Sequence, residues 1–232
     1  MFYWYAQSER WRCEKVGDSV FMRVPSSSRP IDHIRLDGGR PCLDFVNTLH
    51  DRFADVAEDY IAAPERFLEW GVRAIVLGQH EAKTLLQSQE LGPGTMRQVV
   101  AFREQLHGLF SSIIDGRTIP ADAITALNQW VHLAWQDLTV DPSAARWVRW
   151  NGHSTDSRLP LKRIALSALE FLSTFDSTRL KRCGAPNACG WLFYDETKNG
   201  RRRWCSMDVC GTLNKMSRYR RSSRERARAA ME

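Results

Sequence analysis

Four cysteines stand close together near the carboxyl end, Cys183, Cys189, Cys205 and Cys210, in the spacing C-x5-C-x15-C-x4-C. Two close pairs, separated by a span that a hairpin can fold back, suit a tetrahedral Zn²⁺ that draws four thiolates from two turns. With every position filled by sulfur no water can bind, so the spacing predicts one structural zinc ion. The competing readings are two disulfides or four unrelated buried thiols. Disulfides belong to exported chains, yet the opening MFYWYAQSERWRCEKVGDSVF scatters charges where a secretory signal needs an unbroken apolar stretch. No C-x-x-C redox pair occurs either.

Between the cysteine pairs, Trp191, Leu192, Phe193 and Tyr194 form an aromatic run suited to a strand. A turn at Asn199-Gly200 then leads through Arg201, Arg202, Arg203 and Trp204 back to Cys205, which predicts a hairpin of these two runs. A unit of about forty residues cannot build its own core, so the metal and the rings of Trp191, Phe193 and Trp204 are expected to replace one. After Cys210 the three-residue recurrence of Leu213, Met216 and Tyr219 predicts a helix whose apolar stripe packs back on the metal unit. Beyond Tyr219 the arginines Arg220, Arg221, Arg224, Arg226 and Arg228 surround the helix instead of sharing one face.

The charge is partitioned in the same way. Residues 181–232 hold thirteen Lys and Arg against five Asp and Glu, a net of +8, whereas the first 180 residues stand at −2. Four thiolates around Zn²⁺ would remove two units and leave the tail basic. Concentrated arginine on a compact zinc scaffold is the electrostatic footprint of a phosphate-backbone binder. The candidate contacts are Arg201, Arg202, Arg203, Lys215, Arg218, Arg220, Arg221 and Arg224, with DNA the expected partner. A zinc-stabilised adaptor that binds RNA or an acidic protein through the same tail is the alternative.

The segment Arg202-Arg203-Trp204-Cys205-Ser206-Met207, followed by Cys210-Gly211 and Lys215, resembles the CGNR zinc finger. Pro41-Cys42-Leu43-Asp44-Phe45-Val46-Asn47-Thr48 resembles the opening of the ABATE domain, which precedes that finger in proteins described as stress-induced transcription regulators of bacteria. The resemblance spans about residues 31 to 221 and implies that the four cysteines hold zinc and that the finger binds DNA. One departure stands out: the family's Cys-Gly-Asn-Arg is replaced by Cys210-Gly211-Thr212-Leu213, with Asn214 following. The metal ligands are kept. The Asn and Arg are not, which leaves Lys215, Arg218, Arg220 and Arg221 to supply contacts.

The elements that must position this tail read as helical. Leu43, Val46, Leu49 and Phe53 mark a first helix after a short strand at Ile34–Leu36. A second runs from Pro64 to Ile75 and a third from His80 to Gln89. Val99, Phe102, Leu106, Leu109 and Ile113 mark a fourth that stops at Asp115-Gly116, and Ile124, Leu127, Val131 and Trp135 a fifth. A hairpin of Asp137–Val140 with Arg146–Trp150 precedes a last helix carrying Leu161, Ile164, Ala168, Phe171 and Phe175. The expected fold is mainly α with a small β-hairpin: an extension over residues 1–30, a helical domain over 31–178, and a zinc finger of hairpin plus helix over 179–232.

On the expected first helix Asp44, Asn47, Thr48 and Asp51 share one polar stripe, a solvated face or helix-start capping on physical grounds. The ABATE resemblance implies instead that Asp44, Asn47 and Thr48 line a small-molecule site. No catalytic residue is assigned: His33, His50, His80, His107, His132 and His153 are scattered, and no H-E-x-x-H, G-x-S-x-G or nucleotide-binding glycine motif occurs. No apolar run approaches the ~18 residues of a membrane helix. The expectation is a cytoplasmic regulator, neither an enzyme nor a membrane protein. A lone finger offers few base contacts, which favours a homodimer, although no heptad seam announces one.

Overall fold

The structure, a computed structural model, describes residues 13–16, 19–22, 29–53, 57–88, 90–143, 147–151, 155–185 and 189–229. For residues 13–16, 19–22, 224 and 227–229 only the backbone is described. The aromatic opening at Phe2–Tyr5, Gln89, Arg146 and His153 lie outside the described residues. The order is β1 (Cys13–Val16), β2 (Ser19–Met22), α1 (Pro41–Val46), β3 (Leu49–His50), β4 (Glu58–Asp59), α2 (Pro64–Arg73), α3 (Gln79–Ser88), α4 (Pro93–Asp115) and α5 (Ala121–Gln136). Then follow β5 (Leu138–Val140), β6 (Val148–Trp150), α6 (Leu159–Thr174), β7 (Leu180–Arg182), β8 (Leu192–Tyr194) and α7 (Thr212–Ala229). The fold is mostly helical, with small antiparallel pairs β1–β2, β3–β4, β5–β6 and β7–β8.

Four helices begin on a proline at their first turn: Pro41, Pro64, Pro93 and Pro160. Proline fixes a helical φ there and lacks only an N–H that would have no partner in the helix. Helices α4, α5 and α6 pack side by side, and the short α1 lies against α4 and α6. Phe45 of α1 sits at the centre of the core, 5.6 Å from Trp70, 6.2 Å from Phe102 and 6.3 Å from Phe67 between ring centroids.

The first helix is shorter than its periodicity predicts. It ends at Val46, Leu49 enters β3, and Phe53 is exposed. Thr48 donates its hydroxyl back to Phe45 O at 2.7 Å, and Asn47 spends its amide on another segment, so both side chains compete with a further helical turn. Ile34–Leu36 forms no strand; a 3-10 turn at Ile31–His33 precedes it. Ile75, expected inside α2, follows its end in a left-handed conformation (φ 59°) and is exposed.

One buried ion pair braces the β3–β4 hairpin against α4. Arg103 donates both terminal nitrogens to the Asp59 carboxylate at 2.8 Å and one of them to Thr48 Oγ1 at 3.2 Å. Arg103 is 1% and Asp59 5% exposed; without Arg103 the Asp59 carboxylate would keep only the Ile61 N–H, whereas without Asp59 the guanidinium would keep Glu104 Oε1 at 3.1 Å and Thr48. Arg103→Ala should cost about 3–5 kcal/mol in denaturant unfolding and Asp59→Ala less, because Glu104 still faces the guanidinium, while replacing both with apolar residues of similar volume should recover most of the loss. Single variants as stable as the double one would contradict this bracing.

Candidate metal centre and nucleic-acid interface

Strands β7 and β8 pair with Leu180 opposite Tyr194 and Arg182 opposite Leu192. Cys183 follows one strand and Cys189 precedes the other, and the Cys183 N–H donates to Trp191 O at 2.8 Å, so the two thiols meet at one end of the ladder. The second pair comes from a wide turn. Ser206 Oγ accepts from Val209 N at 3.4 Å, and Gly211 N donates to Ser206 O at 2.9 Å, which returns Cys210 to Cys205. Gly184 N donates to Arg203 O at 3.1 Å and holds the two halves together.

The four sulfurs lie within 4.8 Å of one another and all four residues are buried. Cys189 Sγ is 3.8 Å from Cys205 Sγ, which is 3.6 Å from Cys210 Sγ. A zinc tetrahedron with bonds of ~2.3 Å has sulfur–sulfur edges of about 3.8 Å, whereas a disulfide needs ~2.0 Å. The four cysteines therefore fit one structural zinc ion. Backbone N–H groups of Cys205 and Ala185 donate to the Cys183 sulfur, and that of Trp191 to Cys189, which favours thiolates. The Cys189 and Cys205 thiols also donate to Cys183 and, with those N–H groups, hold it down to about 2. Cys189, Cys205 and Cys210 are pushed above the ordinary thiol range: for Cys189 and Cys205 chiefly because they donate to neighbouring sulfurs, for Cys210 chiefly by burial.

The expected hairpin partner of β8 is not Arg201–Trp204 but β7. The carbonyls of Gly200, Arg202 and Arg203 are instead taken one at a time: Lys181 Nζ donates to Gly200 O at 2.6 Å and to Arg202 O at 3.2 Å, and Gly184 N to Arg203 O. Asp195 organises this loop. Its fully buried carboxylate accepts from Lys181 Nζ (2.8 Å), Arg202 N (2.7 Å), Thr197 N (3.1 Å) and Thr197 Oγ1 (2.6 Å). Burial would raise the carboxyl, but these donors outweigh it and hold it well below the usual range. Asp-x-Thr at a strand end, Asp195 to Thr197, is the local signal for this bonding.

Asp44, Asn47 and Thr48 do not share a solvated stripe. All three are buried and bonded within the protein. Asp44 Oδ1 accepts from Gly38 N at 2.8 Å. Asn47 donates to Leu192 O and accepts from Leu192 N, both at 2.8 Å, clamping β8 to the end of α1. Thr48 bonds Phe45 O and Arg103. Burial raises the Asp44 carboxyl to about 7, against the Gly38 hydrogen bond that lowers it.

The basic candidates divide. Arg201 and Arg203 are exposed, and Lys215, Arg218, Arg220 and Arg221 lie exposed along α7. The Arg224 side chain lies outside the described residues. Arg202 is not a free cation: its guanidinium stands 4.7 Å over the Phe193 ring and donates to Trp204 O (3.0 Å) and Cys205 O, which makes it part of the metal loop. The stripe expected to fold back on the metal unit does not do so. Leu213, Met216 and Tyr219 are 40%, 47% and 72% exposed, because the Met207–Gly211 turn runs straight on into α7 and is its main packing partner.

Two family models match the chain. Residues 39–174 match ABATE, described as "Putative stress-induced transcription regulator", and residues 179–228 match the CGNR zinc finger. The first covers more than half of the chain, which therefore belongs to the ABATE family and ends in a CGNR finger. Neither is a family of enzymes. No curated protein matches the chain. Among the described residues no helix is long and apolar enough to cross a membrane.

Because thiols must lose their protons to bind zinc, bound metal should be released progressively on acidification, and Cys205→Ser should lose it at neutral pH. Trp191, Leu192 and Phe193 belong to the same core as Phe45, so that variant should unfold in one transition at lower temperature. Unchanged metal content, or separate unfolding of the two parts, would count against this. The Asp44 carboxyl is raised on folding, so its contribution to stability is complete below its ordinary range and is lost as pH rises through about 7. Asp44→Asn should flatten the fall in stability over that interval; an unaltered pH profile would contradict the assignment.

Proposed function

We propose that the chain regulates transcription by docking α7 and its zinc base on DNA. The observation that carries this reading is the excess positive charge of α7: Lys215, Arg218, Arg220 and Arg221 are exposed, and among described residues only Arg221 of the four has an ion-pair partner, Glu225 at 4.0 Å. A helix of this length, about 27 Å at 1.5 Å per residue, suits the major groove, and the metal turn fixes its first residues. Arg201 and Arg203 lie on the zinc side as further phosphate contacts, with Arg224 next in the helical series. A homodimer would supply a second finger and double the few base contacts one helix can make.

A second reading, an adaptor for RNA or an acidic protein, draws on the apolar ridge of Met207, Val209, Leu213, Met216 and Tyr219, all exposed beside the cations. For signal sensing, the supporting feature is a groove of about 620 Å³ between the Ile31–His33 turn, α2 and α3, lined by apolar side chains such as Ile31, Leu68, Val72 and Leu86 and by the charged Asp32, Glu65, Arg66, Glu69, Arg73 and Lys83.

Binding of the zinc-loaded protein to duplex DNA should weaken steeply with salt, by about 0.9 log units per log unit of salt for each phosphate contacted. Arg220→Ala/Arg221→Ala/Arg224→Ala should weaken all sequences alike and shallow that slope. A flat salt response, or equal affinity of the variant, would discard DNA docking; equal competition by random RNA would favour the adaptor.

A further inference from the structure

A cleft of about 880 Å³ opens between the carboxyl end of α4, β7, the Arg201–Trp204 segment and the first turn of α7. Five of its lining residues are cationic, Lys181, Arg182, Arg201, Arg202 and Arg203, and none is acidic. Lys181 and Arg182 are neutralised from behind. Lys181 pairs with Asp195 at 2.8 Å, and Arg182 makes a two-pronged contact with Asp115 at 2.9 and 3.1 Å. Arg201, Arg202 and Arg203 have no carboxylate partner among the described residues. Arg202 satisfies its donors on carbonyls and the Phe193 ring and so contributes charge without being free to move. Arg201 and Arg203 remain exposed and able to reach an anion.

The rest of the lining is not that of a bare anion site. Trp204 is half-buried, and Leu180 and Ile114 add apolar surface, while Asn214 offers an amide at the edge. A half-buried indole and apolar side chains in one cleft with two exposed guanidinium groups match a ligand with both a flat ring and a phosphate. We propose that this cleft holds one nucleotide unit, its phosphate between Arg201 and Arg203 and its base against Trp204. A duplex keeps its bases stacked inside and cannot present both parts to such a cleft; a free nucleotide or an unpaired strand can. The proposal deepens the nucleic-acid reading above, because the cleft adjoins the start of α7 and would take an unpaired nucleotide beside a docked helix.

The test is calorimetric titration of the zinc-loaded protein with adenosine monophosphate, inorganic phosphate and a short single-stranded oligodeoxyadenylate. Adenosine monophosphate should bind saturably and more tightly than inorganic phosphate. Arg201→Ala/Arg203→Ala should weaken it roughly tenfold or more, two charge-assisted hydrogen bonds being lost, with zinc content and melting temperature unchanged. Arg220→Ala/Arg221→Ala/Arg224→Ala should leave it as it was. Tighter binding of the oligonucleotide identifies a strand as the source and equal or weaker binding a free nucleotide; both support the site. No saturable binding of the monophosphate, indifference to the Arg201/Arg203 change, or equal affinity for inorganic phosphate overturns it. Duplex binding measured on the same proteins separates the two readings: loss of one with survival of the other identifies which has failed.

Discussion

Four sulfurs packed within 4.8 Å of one another cannot all be ionised unless a dication sits among them. In this geometry hydrogen bonds from its neighbours hold the Cys183 thiol below its ordinary range, and the same bonds hold the Cys189 and Cys205 thiols above it. Zinc removes the conflict and turns four repelling thiolates into the strongest constraint on the loop. The return from Cys205 to Cys210 follows from it, and so does the direction in which α7 leaves. Every exposed cation of that helix is placed by a sulfur geometry set before the helix begins.

The metal unit is nevertheless not an appendage built on zinc alone. Trp191 meets the His50 ring edge-on at 5.4 Å, and Tyr194 meets Phe171 of α6 at 5.1 Å. Asn47 replaces a strand neighbour for Leu192 by matching both its backbone groups. Gly38 completes the bracket, giving its carbonyl to Tyr194 N at 3.0 Å and its N–H to Asp44. A Cβ there would lie 2.8 Å from Leu43 Cβ and 2.9 Å from Asp44 Oδ1, so only glycine permits the approach. The motif that opens the ABATE region is thus the socket into which β8 of the finger fits. Any rearrangement of α1 would be felt by the metal loop through two hydrogen bonds rather than through a linker.

What the sequence made legible follows the range of the interactions involved. The longer helices declared themselves because their apolar spacing and first-turn prolines are local signals, and the four thiols because zinc requires that residue type at close spacing. Asn47 and Thr48 were misread for the opposite reason. Their partners, Leu192 and Arg103, lie 145 and 55 residues away, and a helical-stripe argument cannot see them. The hairpin failed likewise: both Leu180–Arg182 and Arg201–Trp204 flank the aromatic run, and the choice between them is made by Lys181 and Asp195 meeting across the loop. The packing of Leu213, Met216 and Tyr219 could not be judged either, since their periodicity announces a helix but not what faces it.

The departure from the family's Cys-Gly-Asn-Arg acquires a physical meaning in this arrangement. Leu213 occupies the Arg place and is 40% exposed, so the first turn of α7 carries a partly covered apolar side chain where the family pattern has a cation. Thr212 returns its hydroxyl to Met207 O at 3.3 Å and so takes over a local bond at the metal turn. Asn214 lies at the edge of the basic cleft. Positive charge in this chain therefore flanks the helix start instead of occupying it: Arg201 and Arg203 on the zinc side, Lys215 and Arg218 one turn on.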